Sequence, residues 1–153
     1  MDLILWRHAD AFDEENDLDR ELTPKGHAQA TAMAAWLKPR LPDNVHILAS
    51  PAMRTRQTAE ALEQKFDVQA ALAPDRPVMD LLLAAGWPQG NKTVLIVGHQ
   101  PTLGLAAMLL LTGSEIPFSI KKGGIVWISN RVRQESEQTI LRAALSPELL
   151  KNQ

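Results

Sequence analysis

The sequence predicts an α/β fold, a three-layer α/β/α sandwich in which helices cover both faces of a mostly parallel central sheet. The first observation behind this prediction is that short apolar runs alternate with helix-like segments along the chain. The second is that the apolar run at residues 93–97 is uninterrupted, as in a strand buried on both faces. The third is the length of 153 residues, which suits one such core. We therefore predict a single domain spanning residues 1–153.

Helix boundaries follow from the chemistry of helix starts. Thr23-Pro24 fits a helix start, with threonine as the N-cap and proline at the first helical position, and Ser50-Pro51 opens a second helix in the same way. The predicted elements, in chain order, are strand 3–7, polar loop 10–21, a helix from residue 24 closed by prolines 39 and 42, strand 45–49, helix 50–65, edge strand 69–72, helix 78–85, strand 93–97, a helix from about residue 101, and a hairpin of strands 125–129 and 139–144.

Composition excludes several classes of protein. The 16 basic and 18 acidic residues give a net charge of -2, which removes the general argument for binding nucleic acid or an anionic membrane. With no cysteine, disulfides and cysteine-based zinc sites are excluded. The apolar run at residues 103–111 is about half of the ~18 residues that a membrane-spanning helix requires, and the N-terminus has no secretory pattern. We expect a soluble cytoplasmic protein.

Two histidines follow two of the predicted strands. Arg7-His8 comes at the end of strand 3–7, and His99 comes just after strand 93–97. The carboxyl ends of parallel strands meet at the edge where open α/β folds bind ligands, so we expect these side chains to share a site. Arginine offers a planar fork of donors for phosphate oxygens, and neutral imidazole can attack phosphorus. The sequence therefore predicts a phosphoryl-group site.

Four motifs occur in order along the chain, each at a predicted junction between elements. They are Arg7-His8-Ala9, Leu22-Thr23-x-x-Gly26, Ser50-Pro51-x-x-Arg54-x-x-Gln57-Thr58-Ala59 and Gly98-His99-x-Pro101-Thr102. In this order and spacing they resemble the histidine phosphatase superfamily, and the short chain resembles its phosphohistidine phosphatase SixA branch. The resemblance implies a phosphoglycerate mutase-like fold and a phosphatase that needs neither metal nor cofactor.

The resemblance also implies roles for individual residues. His8 matches the nucleophile, which receives the phosphoryl group before water releases it, and nearby positive charge would keep its ring unprotonated. Arg7 and Arg54 match the phosphate-binding arginines, and His99 matches a histidine that donates hydrogen bonds to the phosphoryl oxygens. Arg20 matches a position for which we expect a phosphate-binding or substrate-rim role.

The substrate prediction rests on a missing acid. Larger members of the superfamily carry an insertion with a carboxylic acid that protonates the leaving group, and this chain has little room for one. Asp75 and Asp80 lie in the corresponding region, and we expect neither to act. An imidazole leaving from phosphohistidine can already carry its proton, whereas an alkoxide needs one delivered. We therefore expect a phosphohistidine-carrying protein, such as a phosphotransfer domain, as substrate and partner.

Three alternatives stay open at this point. The same scaffold could serve a small-molecule phosphomonoesterase, or it could only bind phosphate. A third alternative makes His8, Asp10 and His99 metal ligands, although the adjacent arginines would repel a cation. Three further basic residues are expected to lie outside the site: Arg56, His27 and His46.

Overall fold

The computed structural model describes residues 1–150 and is built on a six-stranded sheet. The strands are β1 (Asp2–Arg7), β2 (His46–Ala49), β3 (Asp67–Val68), β4 (Val94–Gly98), β5 (Ile125–Arg133) and β6 (Ser136–Leu145). Their order is β3-β2-β4-β1-β5-β6. β3, β2, β4 and β1 run parallel, whereas β5 is antiparallel to β1 and β6 to β5. The predicted mostly parallel sheet is confirmed; residues 151–153 of the predicted domain lie outside the described residues.

Helices cover both faces of this sheet and complete the predicted three layers. They are α1 (Pro24–Leu37), α2 (Met53–Glu60), α3 (Val78–Ala85) and α4 (Thr102–Thr112). Buried residues of α1 and α2 share one hydrophobic cluster, and those of α3 and α4 share the other. Within residues 1–150, no helix has the length and apolarity that crossing a membrane requires.

The first strand shows how the sequence fills both layers. Ile4 and Trp6 pack in the cluster of α1 and α2, while Leu3 and Leu5 pack in the cluster of α3 and α4. Successive side chains of a strand point to opposite faces, and all four are fully buried. A strand buried on both faces reads as a continuous apolar run, which is why β1 and β4 were recognisable in the sequence.

The second helix is shorter than the predicted range of 50–65. Ser50 and Pro51 precede α2, and the Ser50 hydroxyl oxygen accepts a hydrogen bond of 3.2 Å from the Ala52 N–H. Beyond α2, backbone N–H groups bond to carbonyls three residues back, and Glu63 takes a positive φ of 56°. A residue in this left-handed conformation cannot continue an α-helix.

The edge strand predicted at residues 69–72 is wrong. The strand in this region is β3, which pairs with the end of β2, and Ala70–Leu72 is a 3₁₀ turn. The turn carries the Leu72 side chain into the cluster that contains Val78 and Leu81 of α3. Leu72 is therefore buried against α3 instead of pairing at the edge of the sheet.

The final hairpin is longer than predicted. The polar stretch at residues 130–138 does not separate the two strands but extends them to a two-residue turn at Gln134-Glu135. Both turn residues have positive φ, as the type I′ turn of a two-residue hairpin requires. Most side chains of this extension are exposed, so polar residues fit it without loss of packing.

Gly26 lets α1 pack directly on the loop that follows His8. A Cβ atom at Gly26 would lie 1.9 Å from the Asp10 carbonyl oxygen. That oxygen accepts the Thr23 N–H at 3.0 Å, and the Thr23 hydroxyl donates to the Asp10 carboxylate at 2.7 Å. Thr23 and Gly26 of the second motif thus hold the chain in place two residues beyond His8.

Replacing Gly26→Ala is expected to lower the free energy of unfolding by about 3 kcal/mol, because the new methyl group overlaps the Asp10 backbone. The direction of the change in the free energy of unfolding is informative, since alanine in an unobstructed helix position stabilises a protein by ~1 kcal/mol relative to glycine. Urea unfolding measures the change. The neighbouring exposed His27→Ala should alter stability by less than about 0.5 kcal/mol; a stabilised Gly26→Ala variant would contradict the packing.

Candidate active site

His8 and His99 lie side by side at the carboxyl ends of β1 and β4. These strands are neighbours in the sheet, and the His8 N–H donates to the Gly98 carbonyl at 3.1 Å. The ring centroids are 5.4 Å apart, with the planes inclined by 53°. Both side chains are buried, at 6% and 5% exposure. The pairing of two parallel strands thus brings the two histidines of the sequence motifs together.

The tautomer of His8 follows from its hydrogen bond. Nδ1 lies 2.7 Å from the Ala9 carbonyl oxygen, which can only accept, so Nδ1 carries the proton and Nε2 holds a lone pair. The Ala9 N–H donates to the Thr58 hydroxyl at 3.1 Å, and that hydroxyl donates to the Arg54 carbonyl at 2.7 Å. Thr58 of the third motif therefore fixes the turn that orients the His8 ring.

Arg54 connects α2 to His99 and to the loop before α1. Its Nη2 is 3.3 Å from His99 Nδ1 and donates to the Asp17 carboxylate at 3.1 Å, while Nη1 donates to the Asp17 carbonyl at 2.8 Å. The side chain is buried, and within residues 1–150 its Nε–H has no hydrogen-bond partner. Buried donors are normally satisfied, so this Nε–H is an exception in a side chain whose Nη1 and Nη2 are both engaged by Asp17.

Two further arginines border the histidine pair. Nη1 of Arg7 donates to the Ile120 carbonyl at 2.8 Å, and its buried Nε–H finds no acceptor within the described part of the chain. Arg20 donates through Nε to the Phe12 carbonyl at 2.8 Å and approaches the Asp17 carboxylate at 3.3 Å. Arg7 therefore retains a buried donor, and Arg20 is held by the loop at the rim.

Burial and positive charge keep both imidazoles neutral. Burial lowers the pKa of His8 to about 4, helped by the charges of Arg54, Arg7 and Arg20 against the opposing effect of its backbone hydrogen bond. Burial also lowers the pKa of His99 to about 3, and the charge of Arg54 contributes. At neutral pH the cluster thus combines uncharged rings with cationic guanidinium groups, which favours an anion.

Sequence reasoning missed Asp17 and Ser50. Asp17 lies in the predicted polar loop 10–21, and no sequence pattern pairs it with Arg54. Burial acts to raise the pKa of Asp17, but hydrogen bonds and charge from Arg54 and Arg20 outweigh it and lower that pKa. Ser50 was read only as a helix start, yet its hydroxyl oxygen lies 2.8 Å from Nε2 of His99. The available signal was that Ser50 directly follows the predicted strand 45–49, as His8 and His99 follow strands 3–7 and 93–97.

Other candidate residues are engaged elsewhere. Asp80 forms an ion pair with Arg76 at 2.8 Å, and Asp75 lies in the preceding turn. The Asp10 carboxylate is bound by Thr23 and by Lys122, whose Nζ is 3.1 Å away. Among residues 1–150, no three His, Asp or Glu side chains are grouped to hold a metal ion. The remaining basic residues have these positions: Arg56 half-buried on α2, His27 exposed on α1, and His46 at the amino end of β2, paired with Asp67.

Comparisons of the sequence and of the fold with known proteins point to the same superfamily. A model of the histidine phosphatase superfamily (branch 1) matches residues 3–75. Phosphohistidine phosphatase SixA of Escherichia coli (strain K12) is 31% identical over 126 residues, covering 76% of this chain and 78% of that protein. The SixA homolog of Haemophilus influenzae is 31% identical over 151 residues, covering 86% and 91%. A solved structure of the protein histidine phosphatase SixA with tungstate has a TM-score of 0.82 at 29% identity, covering 99% of this chain and 100% of that one.

Both site histidines are expected to stay neutral down to pH 5, with midpoints of about 4 for His8 and about 3 for His99. Unfolded histidine binds its proton near pH 6.5, so these buried rings make the fold less stable as pH falls from there towards their folded pKa values. Ring ¹⁵N NMR between pH 8 and pH 4.5 measures the protonation of each ring. A midpoint near 6.5 for either ring would contradict the electrostatics of the site.

Proposed function

We propose that this chain, which belongs to the histidine phosphatase superfamily, is a phosphohistidine phosphatase that forms a covalent intermediate on His8. The observation that carries the proposal is the state of His8: a neutral ring, protonated on Nδ1, with a lone pair on Nε2 and the charges of Arg54, Arg7 and Arg20 acting on it. That arrangement suits attack on a phosphoryl group, because the nucleophile is uncharged and the surroundings favour the anion that it attacks.

The proposed reaction has two steps. Nε2 of His8 bonds to phosphorus as the bond to the substrate imidazole breaks, and that imidazole leaves with the bonding electrons as a neutral ring protonated on its other nitrogen. The Nδ1–H···O bond to Ala9 stabilises the charge that develops on the phosphorylated His8 ring. Water then attacks phosphorus as the bond between phosphorus and Nε2 breaks, the bonding electrons return to Nε2, and phosphate leaves with the protons of that water.

The arginines have separate tasks in this proposal. The guanidinium groups of Arg7 and Arg54 are the donors for the phosphoryl oxygens, and their charges stabilise the transferred group. His99 donates a hydrogen bond to the same group. Arg20, held to Phe12 on the loop, contributes charge at the rim. No step requires a metal, so we expect full activity in a strong chelator.

The state of Asp17, the carboxylate that is bonded to Arg54, favours phosphohistidine over a phosphate ester. Asp17 is the carboxylate closest to Arg54, and its lowered pKa leaves it ionised at neutral pH, unable to protonate a leaving group. An alkoxide would lose the roughly 10²–10⁴-fold benefit of general acid catalysis, whereas an imidazole that carries its own proton would lose little.

Exposed apolar side chains around the site support a protein substrate. Phe12 and Leu18 are about half exposed on the loop before α1, and Phe118 is similarly exposed after α4. The carbonyls of Phe12 and Phe118 anchor these loops by accepting from Arg20 Nε and Gln100 Nε2, both at 2.8 Å. A contiguous exposed apolar patch is typical of a surface that another protein contacts, and we propose that these three side chains contribute to one.

The test is phosphate release from a phosphohistidine-carrying phosphotransfer domain in chelator, compared with an aryl phosphate ester. We expect the phosphoprotein to have the higher kcat/KM, and His8→Ala to lower its turnover by about 10³-fold or more. The exposed His27→Ala variant is the control and should keep wild-type turnover. A higher kcat/KM for the ester would favour a small-molecule phosphomonoesterase, and a His8→Ala variant with normal turnover would refute the mechanism.

Arg54→Lys is expected to lower kcat/KM by about 100-fold, because lysine keeps the charge but not the planar fork of donors. Arg56→Lys is the matched control, since it makes the same change two residues along α2 and should alter kcat/KM by less than about 2-fold. Steady-state kinetics on the phosphoprotein, with urea unfolding of each variant, separates catalysis from stability. Equal losses at the two positions would contradict the assignment of Arg54.

A further inference from the structure

We propose that Asp17 is a specificity-determining residue that competes with the phosphoryl group for Arg54, and thereby disfavours free phosphate and small phosphate esters. Nη1 of Arg54 donates to the Asp17 carbonyl at 2.8 Å, and Nη2 donates to the Asp17 carboxylate at 3.1 Å. This role deepens the proposed function and rests on it. A phosphoryl group that binds the same fork of donors must displace the Asp17 oxygens.

The other donor of Arg54 is out of reach of a ligand. Its Nε–H is buried and has no hydrogen-bond partner within residues 1–150. Nη2 also donates to Nδ1 of His99 at 3.3 Å, so both of its hydrogens have acceptors. The donors that a phosphoryl group can use are therefore those of the two Nη atoms, where Asp17 is bound.

Asp17 is held less firmly than the arginine that binds it. Its side chain is 54% exposed, against 5% for Arg54. It begins a 3₁₀ turn, Asp17–Asp19, in which no residue is buried. In the described part of the chain, the hydrogen bonds that join this turn to the protein beyond its own loop are the two from Arg54. Displacement of Asp17 therefore exposes no core residue of this turn.

Arg20 provides a partner for the displaced carboxylate. Nη1 of Arg20 lies 3.3 Å from one carboxylate oxygen of Asp17, whereas Arg54 binds the other oxygen. Arg20 belongs to the same loop, where its Nε donates to the Phe12 carbonyl at 2.8 Å. Asp17 thus keeps an ion pair after it leaves Arg54. A phosphoryl group carries more negative charge than a carboxylate and has three acceptor oxygens, so it can replace Asp17 on the guanidinium.

The competition discriminates between ligands through contacts outside the phosphoryl site. Leu18 follows Asp17 directly, and Phe12 lies on the same loop; both side chains are about half exposed. A protein substrate that contacts them acts on the loop that carries Asp17, so these contacts can offset the displacement. Free phosphate and a small ester have no such contacts. Asp17 therefore weakens their binding more than that of a phosphoprotein.

Calorimetric titration of the full chain with inorganic phosphate and with tungstate measures the competition. Asp17→Asn should tighten the Kd of both anions by about 10-fold, because the amide accepts from Arg54 without a charge. Asp19→Asn is the matched control, since its carboxylate accepts from Asn16 at 3.0 Å and from no arginine. It should change either Kd by less than about 2-fold. Unchanged or weaker binding by Asp17→Asn, or equal tightening in both variants, would overturn the proposal.

A crystal structure of the unaltered chain with tungstate tests the displacement directly. We expect tungstate oxygens on the Nη atoms of Arg54, with the Asp17 carboxylate off Arg54 and still paired with Arg20. Bound tungstate with both bonds between Arg54 and Asp17 intact would overturn the proposal without any variant.

Kinetics tests the specificity. Asp17→Asn should raise kcat/KM for an aryl phosphate ester by about 10-fold, and for the phosphohistidine domain by less than about 3-fold. Equal gains on the two substrates would refute the role of Asp17 in specificity. An unaltered enzyme that releases no phosphate from the phosphohistidine domain would refute the proposed function, while the titrations would still decide whether Asp17 competes with an anion.

Discussion

The parallel pairing of β1 with β4 is the constraint on which the site depends. It places His8 and His99 at adjacent strand ends. Because the two residues lie far apart in the sequence, only the pairing of the two strands brings their rings together. Surrounding bonds then fix each ring: the Thr58 hydroxyl holds the turn at His8, and Ser50 contacts His99. Gly123 adds to this, because its N–H lies 3.0–3.1 Å from the carbonyls of Arg7 and His8. Hydrogen bonds at the strand ends therefore fix most of the site.

Charge is the second organising factor. Three guanidinium groups act on His8, and their mutual repulsion needs a negative charge nearby. Without a substrate, Asp17 supplies it through its ion pairs with Arg54 and Arg20. The carboxylate is half-exposed on a loop, whereas Arg54 is buried in α2. The positive charge of Arg54 is thus buried in the fold, whereas the negative charge of Asp17 lies on the more accessible side of the site.

The sequence allowed prediction of those features that have a local signal. Continuous apolar runs identified β1 and β4, and the residues that follow them identified both histidines. Contacts between distant segments had no such signal: Asp17 looks like any acid in a polar loop, and Leu72 gives no sign that its burial ends the edge strand. The hairpin extension was missed because its polar residues resemble a loop, although a two-residue turn at Gln134-Glu135 allows them to pair. Ser50 was found as a helix start, but its contact with His99 depends on the pairing of β2 with β4.

In the proposed mechanism, Nε2 of His8 becomes phosphorylated during turnover. The most direct measurement is to mix the enzyme with a phosphohistidine domain, quench in alkali within the first turnover, and locate the phosphoryl group by mass spectrometry of peptides and ³¹P NMR. We expect phosphate on Nε2 of His8, because Nδ1 is occupied by its bond to Ala9. Phosphate on His99, on Nδ1 of His8, or on no residue while the substrate is dephosphorylated would contradict it.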